Sequence, residues 1–153
     1  RGYSYDVRQL KDLIVAAVNH KGLAFLDVLQ PCPTYNDINT RDWFSGEDRI
    51  DETTKKPMPR IYKLEDTDYD PVVHFSDETE LNQKKTQAIV KSLEWDSKIP
   101  TGIFYKNELI TPFTRRLTDK IPNYLENPSA LQKISRDGKS ITNIDKILDS
   151  LDV

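Results

Sequence analysis

The 153-residue chain carries one cysteine, Cys32, in Leu29-Gln30-Pro31-Cys32-Pro33-Thr34-Tyr35-Asn36. A thiolate is a soft ligand suited to an iron–sulfur cluster or to zinc. One thiol cannot hold a cluster alone, because a cluster usually takes about four thiolates. A metal role for Cys32 therefore requires ligands from elsewhere. A nucleophilic role would need a histidine base close by, and the only histidines, His20 and His74, have no evident link to the loop. The third reading is an inert, buried thiol. Pro31 and Pro33 bracket Cys32 and stiffen the backbone, which lowers the entropy lost when the sulfur is held in place. A lone cysteine forms no internal disulfide and suits a reducing compartment, so a cytoplasmic location is expected.

The other candidate groups read as structural, and no catalytic residue is assigned. His20 is a helix-terminal residue facing the helix dipole. His74, in Pro71-Val72-Val73-His74-Phe75, caps or packs a turn. Arg115-Arg116 is a solvated pair, with phosphate or a partner carboxylate as the functional alternative. Glu65-Asp66-Thr67-Asp68 lacks the spacing and the glycine of an EF-hand and reads as a solvated loop. There is no Walker loop, dinucleotide-binding glycine fingerprint or zinc-finger spacing. The 22 Lys and Arg are well mixed with 25 Asp and Glu, for a net charge of -3, which gives no reason to expect nucleic acid or an anionic membrane as a partner. No apolar run approaches the ~20 residues needed to cross a bilayer.

Cys32 must be positioned by what precedes it. Val7, Leu10, Leu13, Ile14, Ala17 and Val18 recur at helical spacing and predict a helix over Tyr5–His20, with Ser4 as its cap and Asp6 in its first turn. Gly22 ends it. Leu23–Leu29 is a nearly continuous apolar run, which predicts a strand buried on both faces, as in a parallel sheet. Together they look like the end of a β-α-β unit whose first strand precedes Arg1. The sheet needs more strands than the chain offers, and the first residue is Arg1, so a piece of a larger subunit is expected. Ligands in open α/β sheets sit beyond the carboxyl ends of the strands, and Cys32 lies three residues past Leu29.

Farther on, Trp43-Phe44 anchors a polar stretch by burial, Gly46–Arg60 is charged and aperiodic, and Ile61–Leu64 is a short extended piece. A helix is predicted over Thr79–Leu93, with Leu81, Ala88, Ile89 and Leu93 as its stripe and Ser76 or Asp77 as its cap. Ile99–Tyr105 reads as a turn into a short strand. Pro112 starts a brief helix through Leu117. Two weak helical patterns close the chain, one around Ala130–Ile134 and one on Ile144, Ile147, Leu148 and Leu151. Phe104, Tyr105, Phe113 and Tyr124 are candidates for buried contacts.

The segment Asn19–Asn36, with its Lys21-Gly22 turn, strand and Gln30-Pro31-Cys32-Pro33-Thr34-Tyr35-Asn36 loop, resembles the β subunit of archaeal 2-oxoacid:ferredoxin oxidoreductases. Ile99-Pro100-Thr101-Gly102-Ile103-Phe104-Tyr105 is similar to a stretch in that family's C-terminal region, in the matching order and spacing. The resemblance implies the C-terminal part of a thiamine-diphosphate-binding α/β fold. Residues 1–75 would belong to that domain and carry the cluster loop, and residues 76–153 would be an extension packing on the domain or a partner subunit. It implies CoA-dependent oxidative decarboxylation of 2-oxoacids, giving acyl-CoA and reduced ferredoxin, with thiamine diphosphate, Mg²⁺ and a 4Fe-4S cluster as cofactors. Cys32 matches the fourth cluster cysteine. The implied partners are an α subunit, the remainder of the β subunit, ferredoxin, the 2-oxoacid and CoA. The family's Gly-Asp-Gly and N-terminal Cys-Xaa-Xaa-Cys are absent here, so no thiamine or magnesium ligand transfers to a numbered residue, the chain alone is not a competent enzyme, and pyruvate cannot be told from larger substrates. The competing readings are a non-enzymatic α/β interaction module with a structural cysteine and a metal-binding accessory subunit.

Overall fold

The structure is a computed structural model that describes residues 1–141 and 145–150. Ile144 and Leu151 of the last helical pattern, and the side chain of Ile147, lie outside the described residues. The fold is α/β. The chain divides into two compact units, Arg1–Thr111 and Pro112–Val153.

The first unit opens with β1 (Gly2–Tyr3), α1 (Val7–Asn19) and β2 (Val28–Leu29). β1 and β2 are parallel, with Gly2 opposite Val28 and Tyr3 opposite Leu29. The first strand of this β-α-β unit is thus Gly2–Tyr3, and the expectation that it precedes Arg1 is corrected. The cap of α1 is also corrected: Asp6, not Ser4, accepts the Gln9 N–H, at 3.0 Å. The predicted stripe splits. Leu13 and the polar Gln9 are buried, whereas Val7, Ile14 and Val18 are exposed. Gln9 tolerates burial because its amide donates to Glu65 at 2.6 Å.

The two-faced burial predicted for Leu23–Leu29 is not found. Only Val28 and Leu29 pair, and Leu23 and Phe25 are 93% and 89% exposed. A strand is buried on both faces when it has neighbours on both edges and helices above and below. Among the described residues β2 pairs with β1 alone.

Next comes α2 (Arg41–Ser45), capped by Thr40, whose hydroxyl accepts the Trp43 N–H at 3.2 Å. It ends at Gly46, whose φ of 74° suits glycine; a Cβ there would lie 1.9 Å from the Met58 carbonyl oxygen. As expected, Phe44 is buried. It joins Tyr3 and Ile99 in the core, with Leu29, Trp43 and Ile61 packed against them. The charged stretch after Gly46 is organised by buried Arg60. Its guanidinium bonds both Asp48 carboxylate oxygens, at 2.6 and 2.7 Å, donates to the Trp43 carbonyl and lies 4.2 Å from the Trp43 ring centre.

A second β-α-β unit follows, made of β3 (Ile61–Lys63), α3 (Glu78–Ser92) and β4 (Ile99–Thr101), with β3 and β4 parallel. Asp77 caps α3 by accepting the Glu80 N–H. The predicted stripe is only half used: Leu81 and Ala88 are half-buried, and Ile89 and Leu93 are exposed. Ile99–Tyr105 runs in the opposite order to that expected, with the strand first and the turn after it. Gly102 makes that turn at φ 120°, where a Cβ would meet Glu65 and Leu64. The Gly102 N–H bonds the Arg1 carbonyl at 2.8 Å, which ties the end of β4 to the start of β1, while the Ile99 N–H bonds the Arg60 carbonyl and extends the β3–β4 ladder.

The second unit contains α4 (Phe113–Lys120), which begins after Pro112 as expected. Single 3₁₀ turns at Pro122–Tyr124 and Ser129–Leu131 follow; the latter stands where a helical pattern was expected. β5 (Ser135–Arg136) and β6 (Lys139–Ser140) form a hairpin, and α5 spans Asp145–Asp149. None of its described side chains is buried, and Phe113 is exposed.

Candidate functional site

Because β1 and β2 are parallel, their carboxyl ends open on the same edge. From β2 the chain enters the Cys32 loop, and from β1 it enters the start of α1. The Ser4 N–H bonds the Leu29 carbonyl at 2.9 Å and joins the two exits.

The Cys32 loop holds itself. The Cys32 carbonyl accepts the N–H groups of Tyr35 and Asn36, at 3.1 and 2.8 Å. The Asn36 side-chain oxygen accepts from Ile38 and Asn39, and its amide donates to Asn39, an Asx turn that continues the fold-back. Cys32 itself is exposed, so its thiol is not buried within this chain. Thr34 and Tyr35 are exposed too. The histidines face carboxylates instead. The His20 ring lies 4.0 Å from Glu108, and His74 is 2.9 Å from Asp70. Asp70 is held well below the usual carboxylate range, first by Lys84 and then by the Val72 N–H and His74. Arg115 is solvated and lies 3.8 Å from Asp119. Glu65 lies in the 3₁₀ turn Leu64–Asp66 and accepts from the Gln9 amide, so it is more than a solvated loop residue.

Among the described residues no group of three or more His, Cys, Asp or Glu side chains could hold a metal ion. Cys32 is the one thiol the chain has to offer, and a centre that used it would need its other ligands from elsewhere.

A cleft of about 600 Å³ was not foreseen from the sequence. Tyr3, Tyr5, Asp6, Arg8, Arg41 and Lys63 are among the residues that line it. It lies where β1 and β3 end and α1 begins. Asp6 is held below the usual carboxylate range by Lys63, 2.7 Å away, and by the Gln9 N–H. Burial pushes the Tyr3 phenol up. The only sequence signal for this cleft would have been Arg8 in the first turn of a helix that follows a strand.

Comparison with known proteins bears on the same loop. The family model for the C-terminal part of the pyruvate ferredoxin oxidoreductase beta subunit matches residues 32–120. The chain is 48% identical over its whole length to the 2-oxoacid:ferredoxin oxidoreductase subunit beta of a Sulfolobus species, covering 46% of that protein. It is 44% identical to its counterpart in Saccharolobus solfataricus, over 97% of the chain and 44% of the relative. It is also 44% identical to 2-oxoacid:ferredoxin oxidoreductase 1, subunit beta, of Aeropyrum pernix, over 95% of the chain and 42% of the relative. The chain thus spans less than half the length of these relatives. Its match to the C-terminal family model, beginning at Cys32, and its similarity to three such β subunits establish that it belongs to the 2-oxoacid:ferredoxin oxidoreductase β-subunit family.

Proposed function

We propose that this chain supplies Cys32 as one thiolate ligand of a 4Fe-4S cluster in a 2-oxoacid:ferredoxin oxidoreductase. The complete enzyme would carry out CoA-dependent oxidative decarboxylation of 2-oxoacids, pyruvate among the candidates, to acyl-CoA with reduction of ferredoxin. The observation that carries this reading is the exposed Cys32 thiol in a self-held turn at the carboxyl edge of parallel strands. There a partner segment can reach the sulfur without unfolding anything. The cluster, when bound, would take up and pass on single electrons. The chain's own residues present the sulfur and fix its loop: Pro31 and Pro33 limit the backbone, and Asn36 closes the turn.

The remaining ligands, and most contacts to thiamine diphosphate and Mg²⁺, would come from sequence outside this chain. In this reading residues 1–75 complete a thiamine-diphosphate-binding domain, and residues 76–153 extend from it toward that domain or a partner. The α subunit, the remainder of the β subunit and ferredoxin are the proposed partners, in the cytoplasm. No helix among the described residues is long and apolar enough to cross a membrane.

The test is an EPR spectrum of the anaerobically purified, reduced complex, wild type against Cys32→Ser. Loss or clear alteration of a 4Fe-4S signal in the variant is expected. A cluster whose spectrum is unchanged by the substitution would remove Cys32 from the ligand set, and a wild-type complex without a cluster would leave the interaction-module reading in its place.

A further inference from the structure

The loop that carries Cys32 rests on one short stretch of chain at both of its ends. Where it begins, Tyr3 lies opposite Leu29, and the Ser4 N–H bonds the Leu29 carbonyl at 2.9 Å. Where it ends, α2 begins, and two α2 side chains return to the same stretch. The Phe44 ring centre is 5.0 Å from that of Tyr3, and the Arg41 guanidinium lies 5.2 Å from the centre of the Tyr5 ring. The Tyr3 and Tyr5 rings are themselves 5.6 Å apart. Residues 30–40 thus form a loop of the Ω type, whose two feet stand together on Tyr3, Ser4 and Tyr5.

Between the feet, residues 32–38 are exposed, and their described hydrogen bonds stay within the loop. The turn keeps its own shape, but its place relative to the strands is set from its ends. Backbone pairing fixes the incoming end. The outgoing end depends on α2, and a helix of five residues does not hold itself. Phe44 anchors it from the core, and Arg41 anchors it from outside. Arg41 occupies the first helical position, where the helix dipole disfavours a cation. Local helix chemistry therefore does not account for an arginine there, whereas a cation over an aromatic ring does. Tyr5 is 56% exposed, so its ring is not placed by burial in the core.

We propose that Tyr5 and Arg41 are positioning residues for Cys32. Their contact clamps the outgoing foot of the loop to the residues that hold its incoming foot, so that the thiolate is presented in one place. The inference rests on cluster ligation by Cys32 as the work of this loop. Holding both ends lowers the entropy lost when the sulfur is fixed.

The experiment is hydrogen–deuterium exchange on the anaerobically purified, assembled complex, for wild type, Tyr5→Leu, Tyr5→Phe, Arg41→Gln and the Tyr5→Leu, Arg41→Gln double variant. The rate of iron release to a chelator is measured on the same samples. Tyr5→Leu and Arg41→Gln should each raise exchange in residues 30–40 and speed iron release about threefold, the loss expected of an exposed cation–ring contact. Tyr5→Phe keeps the ring and should match wild type. The double variant should be no worse than either single one, because both remove the same contact. Exchange in α3 should not change, which separates the clamp from a general loss of stability. Wild-type exchange in Arg41→Gln, effects that multiply in the double variant, or a Tyr5→Phe variant as loose as Tyr5→Leu would each overturn the proposal. So would a loosened loop that releases iron at the wild-type rate. In that last case the EPR spectrum of Cys32→Ser tells the two failures apart: an altered spectrum refutes the clamp alone, and an unaltered one refutes cluster ligation as well.

Discussion

At the scale of single residues, Cys32 and Asn36 do different work in one loop. The Asn36 side chain accepts from Ile38 and Asn39 and donates to Asn39, so its main work is to hold the turn from which a cluster, in the proposed reading, would be ligated. Asn36→Ala should therefore lower cluster occupancy, read as iron per complex, with little change in reduction potential. The phenol of Tyr35 is exposed and remains available for a sulfur or a cofactor; Tyr35→Phe should keep the iron and shift the potential. Tyr3→Phe should leave stability within about 1 kcal/mol of wild type or raise it, as checked by denaturant midpoint, because the hydroxyl it removes has no partner to lose. Cys32 was legible in the sequence because it is a single cysteine held between prolines after an apolar run. The cleft was not, because Tyr3, Arg8, Arg41 and Lys63 come from separate stretches that only tertiary packing gathers.

At the scale of elements, capping chemistry sets the helix boundaries. Asp77→Ala should destabilise the chain by about 1 kcal/mol, whereas Ser76→Ala should stay within about 0.5 kcal/mol, the difference to be read by thermal melts. Gly46 is a stricter site. Its positive φ and the carbonyl of Met58 both exclude a side chain, so Gly46→Ala should cost at least about 2 kcal/mol or prevent folding. The long helices were read well from periodicity, since α1 and α3 fall within about two residues of expectation, whereas the five-residue α2 lay in sequence read as irregular and was too short to show a period. Strands were read less well. The Leu23–Leu29 pattern records the surroundings a strand is suited to, and the described chain supplies β1 as its sole neighbour. β1 itself is two residues long and too short to show a period. Arg60 escaped notice because a buried arginine is recognised by its partners, Asp48 and Trp43, and not by its own position in the sequence.

At the scale of the whole molecule, acid should weaken the fold. Asp6 is held below its ordinary 3.8 by Lys63, Asp48 by Arg60, Asp51 by the Thr54 N–H and Asp70 by Lys84, and Glu94 is held below its ordinary 4.5 by Lys91. A depressed folded value means that the unfolded chain takes up protons first. The contribution is therefore complete above the ordinary values and is lost as pH falls through the depressed ones. The melting temperature should be flat from neutral pH down to about 5 and then decline modestly below about 4, because these carboxylates lie at the surface, where solvent screens their ion pairs. A melt unchanged at pH 3 would show that these ion pairs contribute nothing.

The open side of β2 has a preparative consequence. Leu23 and Phe25 stand almost fully in solvent beside a strand edge with one partner, and Val7 and Val18 add to the uncovered apolar surface on the neighbouring helix. Unpaired backbone flanked by large apolar side chains is a template for another chain. Produced by itself, this 153-residue polypeptide should be sticky. It should bind an apolar dye, scatter light increasingly with concentration and recover as monomer when Leu23 and Phe25 are replaced by serine.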